Sequence, residues 1–450
     1  MMDKWRGLLL KILSPDSETS LKLSLARASI GSFGLQIGSK VLGMVSGILL
    51  ARLLAADGYG TYAYAMSLIQ IMTIPTVMGL PQLVVREVAS FKVRKAYDLM
   101  RGLLIRANQF VFLVAVLMDA AALIVMFQID GFNLQARNVF LISLLLLPLL
   151  GFNNLRMATL RGLGYVVIGQ LPEMLFRPAI FILMMLAAVF LLPQDLSPQW
   201  AMFFQVAATG VAFFAGAVML VRRLPKGVES APAAYETRAW LKSALPFMFL
   251  AAMQIVNQRT DIIMLGMFRP MSEVGIYQAV SNGAVMVSFV LLAVNMAMAP
   301  TIAALYAQRD MERLQRIITY SARAILAGTL PLVLVLVFGG RWFLSVLFGE
   351  AFGAGANALR ILCMGQLINA AMGSVGMILN MTGNEKYSVT GVAVAAMINV
   401  VLNIILIPKF GLSGAAFATS VSLVIWNLLL CWWVYNRLKI ISTAFFISIY

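Results

Sequence analysis

The chain is expected to be an all-α, polytopic membrane protein of about 12 transmembrane helices. They form two six-helix lobes, related by a parallel pseudo-two-fold repeat, around a central cavity. Three observations predict this. Apolar runs of 18 residues or more recur along the sequence, each long enough to cross a bilayer as a helix. Only 12% of the 450 residues are charged and 61% are hydrophobic, with mean hydropathy +0.91, which leaves too little charge to cover a soluble surface. Stretches in the first half reappear in the second, 215 residues on.

The predicted spans run at about 28–54, 59–80, 103–127, 137–158, 167–192, 199–221, 241–267, 274–300, 318–340, 354–380, 388–408 and 412–436. Loop charge supports this count. Lys and Arg on the side facing the N-terminus outnumber those on the other side five to one, the bias expected of cytoplasmic loops, and this reading places both termini in the cytoplasm. It counts Arg156 among the loop charges. Residues 1–27 carry Lys4, Arg6, Lys11, Lys22 and Arg27 without a cleavable signal pattern and read as a cytoplasmic segment. Residues 28–221 form the first lobe, 222–240 a cytoplasmic linker with Pro225, Gly227 and Pro232, and 241–436 the second lobe. The tail, 437–450, is too short to span. It reads as interfacial or as the start of a further helix.

The net charge of +16 could suggest nucleic acid, but its placement in short loops between spans points to membrane topology. The absence of His excludes an imidazole relay. Cys363 and Cys431 lie far apart in apolar segments and read as small hydrophobes. No phosphate-binding loop, nucleophile–base set or metal cluster stands out. The chain therefore reads as a non-enzyme without metal or cofactor.

The repeat is carried by Gly60-Thr61-Tyr62 and Gly275-Ile276-Tyr277, and by Leu192-Pro193 and Ile407-Pro408. The turn Leu160–Gly164 matches Met381–Glu385 with a few residues of slip. Six spans per half make the repeat parallel, about an axis along the membrane normal.

Ionisable groups inside spans cost roughly 2.5–3.5 kcal/mol at a helix centre, so they mark candidate sites. In span 7, Gln254, Asn257, Gln258 and Asp261 follow the spacing of a single helix face. Span 1 has a comparable stripe with Ser32, Gln36, Ser39, Lys40, Gly43 and Gly47, and a shift of 215 sets Ser39, Gly43 and Ser46 on Gln254, Gln258 and Asp261. Two such faces would line a hydrated cleft; the other reading is helix–helix glue. Arg259 and Asp261 lie roughly 200° apart around the helix and cannot pair. Lys40 and Arg259 are candidate cationic cavity groups, with pairing to Asp119 or Asp261 as the rival. Glu173 and Arg177, four residues apart, read as a structural pair.

The first span leads from Ser29-x-x-Ser32 to Leu50-Ala51-Arg52-Leu53-Leu54 and Gly58-Tyr59-Gly60-Thr61-Tyr62. Gly79-Leu80 and Arg86-Glu87 follow. In the second half stand Asp261-x-x-x-Leu265-Gly266 and Val274-Gly275-x-Tyr277-x-Ala279. Over essentially its whole length the chain thereby resembles the bacterial oligosaccharide flippases of the polysaccharide-biosynthesis type, within the superfamily of multidrug, oligosaccharidyl-lipid and polysaccharide exporters. The resemblance implies an inner-membrane transporter moving a polyprenyl-diphosphate-linked oligosaccharide repeat unit to the periplasmic leaflet for surface polysaccharide such as O-antigen or exopolysaccharide. It implies work alongside a polymerase and glycosyltransferases. On that reading Lys40, Arg259, Gln36, Gln254, Asn257, Gln258 and Arg52 are the cavity candidates, and Asp261 and Asp119 the candidates for ion coupling. A cation-coupled drug antiporter, a peptidoglycan lipid-precursor flippase and a non-transporting scaffold remain as alternatives.

Overall fold

A computed structural model describes residues 17–128, 134–191 and 196–445. Ten of its helices are long and apolar enough to cross a membrane. Two of these are too long for one crossing. Ser17–Val77 has 61 residues and Glu385–Leu438 has 54. At 1.5 Å per residue both lengths are at least about 80 Å, against a hydrocarbon core of about 30 Å. Each breaks once, at Ala55 (φ 54°, ψ −176°) and at Gly411 (φ 52°, ψ −128°). Divided there, the ten helices give the twelve spans expected.

Spans 1 and 2 are the two arms of the first long helix, followed by the short helix Leu80–Arg94. Spans 3 to 6 are Tyr97–Gln128, Leu134–Gly162, Val166–Leu191 and Pro198–Val221. Spans 7 to 10 are Thr237–Phe268, Met271–Ala307, Met311–Phe348 and Glu350–Met372, and the last long helix supplies spans 11 and 12. With an even number of crossings both ends of the described chain lie on one face, called here the terminal face; the other is the far face.

The repeat has a physical seam at the far face. A Cβ on Gly60 would lie 1.7 Å from the carbonyl oxygen of Met271, and one on Gly275 would lie 2.0 Å from that of Ala56. Ala56 and Met271 are themselves 215 residues apart, so each lobe presents the same contact to the other, as a two-fold relation requires. Only glycine allows backbones this close. The matched turns after spans 4 and 10 both reverse on a glycine of positive φ, Gly164 (93°) and Gly383 (73°). Residues Leu192 and Pro193 lie outside the described segment, as do residues 1–16.

Two sequence expectations need correction. Arg156 is not a loop charge: it is only 4% exposed inside the first lobe, with Nη1 donating to the carbonyls of Ala212 and Phe213 in span 6. Nor does the tail start a further helix as far as residue 445: the helix of span 12 ends at Leu438 and no helix follows among the described residues. Residues 440–445 fold back across the ends of spans 9, 10 and 12, with Ile440, Ser442 and Ala444 buried in alternation. The Gln315 amide donates to the Ile441 carbonyl (2.7 Å) and accepts from its N–H (2.8 Å), and the Ala444 N–H donates to the carbonyl of Ala371 (2.9 Å). These partners satisfy an extended backbone that would otherwise be desolvated unpaired.

Candidate functional site

Two adjoining cavities, about 260 and 440 Å³, lie between the lobes. Arg259, Gln278 and Asn282 line both, so they form one divided space. The smaller part reaches into the first lobe past Ser46, Tyr62, Gln205 and Arg177. The larger reaches into the second lobe, past Lys40, Asn257, Gln258, Asp261 and Thr419. Span 1 is loosely packed on its terminal half: no neighbour comes within 4 Å of a Cβ on Gly34, Gly38 or Gly43.

The expected separation of Arg259 from Asp261 is what the helix shows. Arg259 turns toward span 2, where Nε donates to Oε1 of Gln70 (2.8 Å). Among the described residues no carboxylate lies within ion-pair reach of it. Lys40 is exposed to the cavity, its Nζ 5.5 Å from the centre of the Phe289 ring and without an acidic partner among the described residues. The pairing of either cation with Asp119 or Asp261 is therefore absent.

Asp261 turns the other way, into the second lobe, and is 6% exposed. Its carboxylate accepts from Tyr277 Oη (2.7 Å), from Asn403 Nδ2 (2.6 Å) and from Thr419 Oγ1. Asn403 also donates to Asn399 (3.0 Å), which donates to Thr419 (3.3 Å). Spans 7, 8, 11 and 12 thus converge on one carboxylate, and the Asn403 Oδ1 atom is buried without a hydrogen-bond partner. In repeat coordinates Ser46, Tyr62 and Ser420 correspond to Asp261, Tyr277 and Gln205. In the first lobe the tyrosine meets no acid: Tyr62 donates to the Gln205 amide oxygen (3.1 Å).

Other candidates fall elsewhere. Gln36 and Gln254 line neither cavity; Gln36 is half-buried and Gln254 exposed. Arg52 does not face the cleft at all. Its guanidinium donates to the carbonyls of Val346 and Leu347, where span 9 ends at the far face, because a helix terminus leaves carbonyls without partners. Asp119 lies on span 3 among lipid-facing side chains such as Phe112, Val116 and Leu117 and lines neither cavity, although its Oδ1 is buried without a partner.

Sequence reasoning missed Asn399, Asn403 and Thr419. The two asparagines, four apart in an apolar span, were a readable signal of one polar face. It also favoured a structural role over a substrate role for Arg177, which lines the smaller cavity. No group of three or more His, Cys, Asp or Glu suited to hold a metal occurs among the described residues.

The sequence matches the family described as polysaccharide biosynthesis protein over residues 25–306, and the MatE family over residues 246–405. No curated protein matches it. Among solved structures the fold is similar to an inward-facing multidrug resistance MATE family transporter of the MOP superfamily, with TM-score 0.74 and 14% identity over 91% of this chain and 98% of that one. The lipid II flippase MurJ, in an inward closed conformation, superposes with TM-score 0.71 and 13% identity over 92% and 89% of the two chains. A MOP superfamily transporter from Pyrococcus furiosus, described as having a binding pocket of reverse polarity, gives TM-score 0.63 and 13% identity over 92% and 95%.

Proposed function

Since the chain belongs to the polysaccharide biosynthesis protein family, and has the fold of the MOP superfamily transporters, we propose that this multi-pass membrane transporter flips a polyprenyl-diphosphate-linked oligosaccharide. The lipid moves from the cytoplasmic to the periplasmic leaflet of a bacterial inner membrane by alternating access, for surface polysaccharide assembly beside a polymerase and glycosyltransferases. The terminal face is the cytoplasmic one, in line with the excess of Lys and Arg there.

One observation carries this reading. Lys40 and Arg259 line the space between the lobes without acidic partners, while Asp261, the one carboxylate in that lining, is buried and accepts three hydrogen bonds. Cations in the cleft without acidic partners favour an anionic ligand, and a diphosphate supplies acceptors that a guanidinium can bind bidentately. The glycan takes the hydrated cavity, and the polyprenyl chain stays in the bilayer beside the loosely packed half of span 1. A membrane potential negative inside favours outward movement of negative charge by about 2.3 kcal/mol per charge per 100 mV.

We assign ion coupling to Asp261. Two hydroxyls and an amide N–H converge on this carboxylate, and its oxygens are of the kind that hold a proton or a hard cation. Asp119, remote from the cavities, does not share this role.

The same carboxylate favours a second reading, a cation-coupled drug antiporter, since Asp261 lines the larger cavity. Reconstituted vesicles separate the two. Flipping of lipid-linked oligosaccharide without movement of a cationic dye is the expected result; dye efflux without glycolipid movement overturns the proposal.

A further inference from the structure

The first lobe holds a charged cluster that the mechanism above does not use. Glu173 lies between two arginines, its Oε2 3.5 Å from Arg177 Nε and its Oε1 3.8 Å from Arg156 Nη2. Both contacts are loose. Glu173 Oε1 is buried and accepts no hydrogen bond, and the Nε and Nη2 of Arg156 donate none. A buried carboxylate shared between two guanidiniums, with unused acceptors and donors on both sides, is an incomplete arrangement.

The arginines differ in their freedom. Arg156 is fixed: two carbonyls of span 6 hold it, and a Cβ on Gly216 would lie 1.8 Å from its Nη1. Arg177 has a side chain 30% exposed and lines the smaller cavity together with Arg259. Arg177 belongs to the first lobe and Arg259 to the second, so the two cations face one space from opposite lobes.

We propose that Arg177 is a second phosphate-binding cation, held in reserve by Glu173, and that the substrate's diphosphate recruits it by displacing this internal carboxylate. The inference rests on the reading of the substrate as an anionic lipid. Removing one partner from a buried ion pair is ordinarily costly because the other charge is left alone. Here Glu173 keeps Arg156. The unused Nε–Nη2 edge of Arg156 has the geometry for a two-point bond to a carboxylate, so Glu173 settles on it as Arg177 leaves. The shared carboxylate becomes two complete pairs, Glu173 with Arg156 and phosphate with Arg177, and no bare charge appears. Glu173 sits in the π-helical turn Pro172–Phe176, where an extra residue per turn interrupts the regular ladder, a feature frequent at functional sites. A neutral lipid alcohol has nothing with which to displace Glu173. The cluster therefore acts as a filter for the diphosphate.

The test uses the purified full chain in detergent, with farnesyl diphosphate as probe, farnesol as its uncharged control, and affinity measured by thermophoresis. Glu173→Gln frees Arg177 and should bind the diphosphate about tenfold tighter; Arg177→Gln should bind it about tenfold more weakly, the size of one charged hydrogen-bonded contact. The double variant should bind no tighter than Arg177→Gln alone. Unchanged affinity in Glu173→Gln, at an unchanged melting temperature, overturns the proposal, and so does unchanged affinity in Arg177→Gln. If the natural chain binds farnesyl diphosphate no better than farnesol, the anionic-lipid reading falls and takes this inference with it. If it discriminates between them while neither variant differs, only the inference falls.

Discussion

Gly275→Ala tests the far-face seam. The new methyl would be built 2.0 Å from the Ala56 carbonyl oxygen and 2.9 Å from the Gly60 nitrogen. A carbon and a carbonyl oxygen ordinarily come no closer than about 3.3 Å, so the two backbones must part by about 1.3 Å. The obstructing atoms belong to a helix backbone and have no rotamer to escape into. The cost therefore lies toward the upper end of the usual overpacking range of about 1–3 kcal/mol. It falls only on the state in which the lobes are closed at this face, so that state loses about 5- to 150-fold in population relative to one opened there. A cysteine at position 56, where Ala56 is 7% exposed, reports the opening once Cys363 and Cys431 have been replaced by alanine. Maleimide labelling of that cysteine should speed up at least about fivefold in Gly275→Ala, the population change at the low end of that range. Equal labelling rates and equal melting temperatures would refute the reciprocal contact as the closure of this face.

Further outcomes follow from the site and its supports. Arg259→Ala should abolish glycolipid flipping in vesicles while the protein inserts and melts normally, since it removes a cavity cation without an acidic partner. Asp261→Asn keeps the shape of the side chain but removes its charge; flipping should then lose its dependence on an imposed ion gradient, read by comparing vesicles with and without one. Arg52→Ala removes the donor to two carbonyls at the end of span 9 and should lower stability by about 1 kcal/mol without altering diphosphate affinity, in contrast to Arg259. Gln315→Ala takes away both hydrogen bonds to Ile441; carboxypeptidase should then trim the released tail faster than in the natural chain.

The fold could be read from the sequence because a bilayer is a demanding solvent: spans have a minimum length, and charge is kept to the loops. The 215-residue offset paired Gly60 with Gly275, and the structure adds why both are glycines: each meets the other lobe's backbone at the seam. The divergence of Arg259 and Asp261 followed from helical geometry alone. What could not be read was the direction each stripe faces after packing. Arg52 sits one residue beyond Ala51, which is 1% exposed, and only the arrival of span 9 beside it turns the guanidinium onto carbonyls. Arg156 lies near a predicted span end, where a snorkelling arginine and a buried one have the same sequence signature. The Asp261 cluster joins four spans separated by up to 158 residues, a convergence no local pattern encodes.

Tyr62 and Tyr277 occupy the same place in the two repeats, yet one hydroxyl meets an amide and the other a carboxylate. Duplication supplied a symmetric frame, and only one copy of it holds an acid at this position. An ion that binds Asp261 therefore acts on a single lobe, loosening or tightening spans 7, 8, 11 and 12 while their counterparts in the first lobe, joined by neutral groups here, feel nothing directly. The scaffold repeats by rotation while the acid does not, so an ion held on Asp261 would break the two-fold relation between the lobes from one side alone.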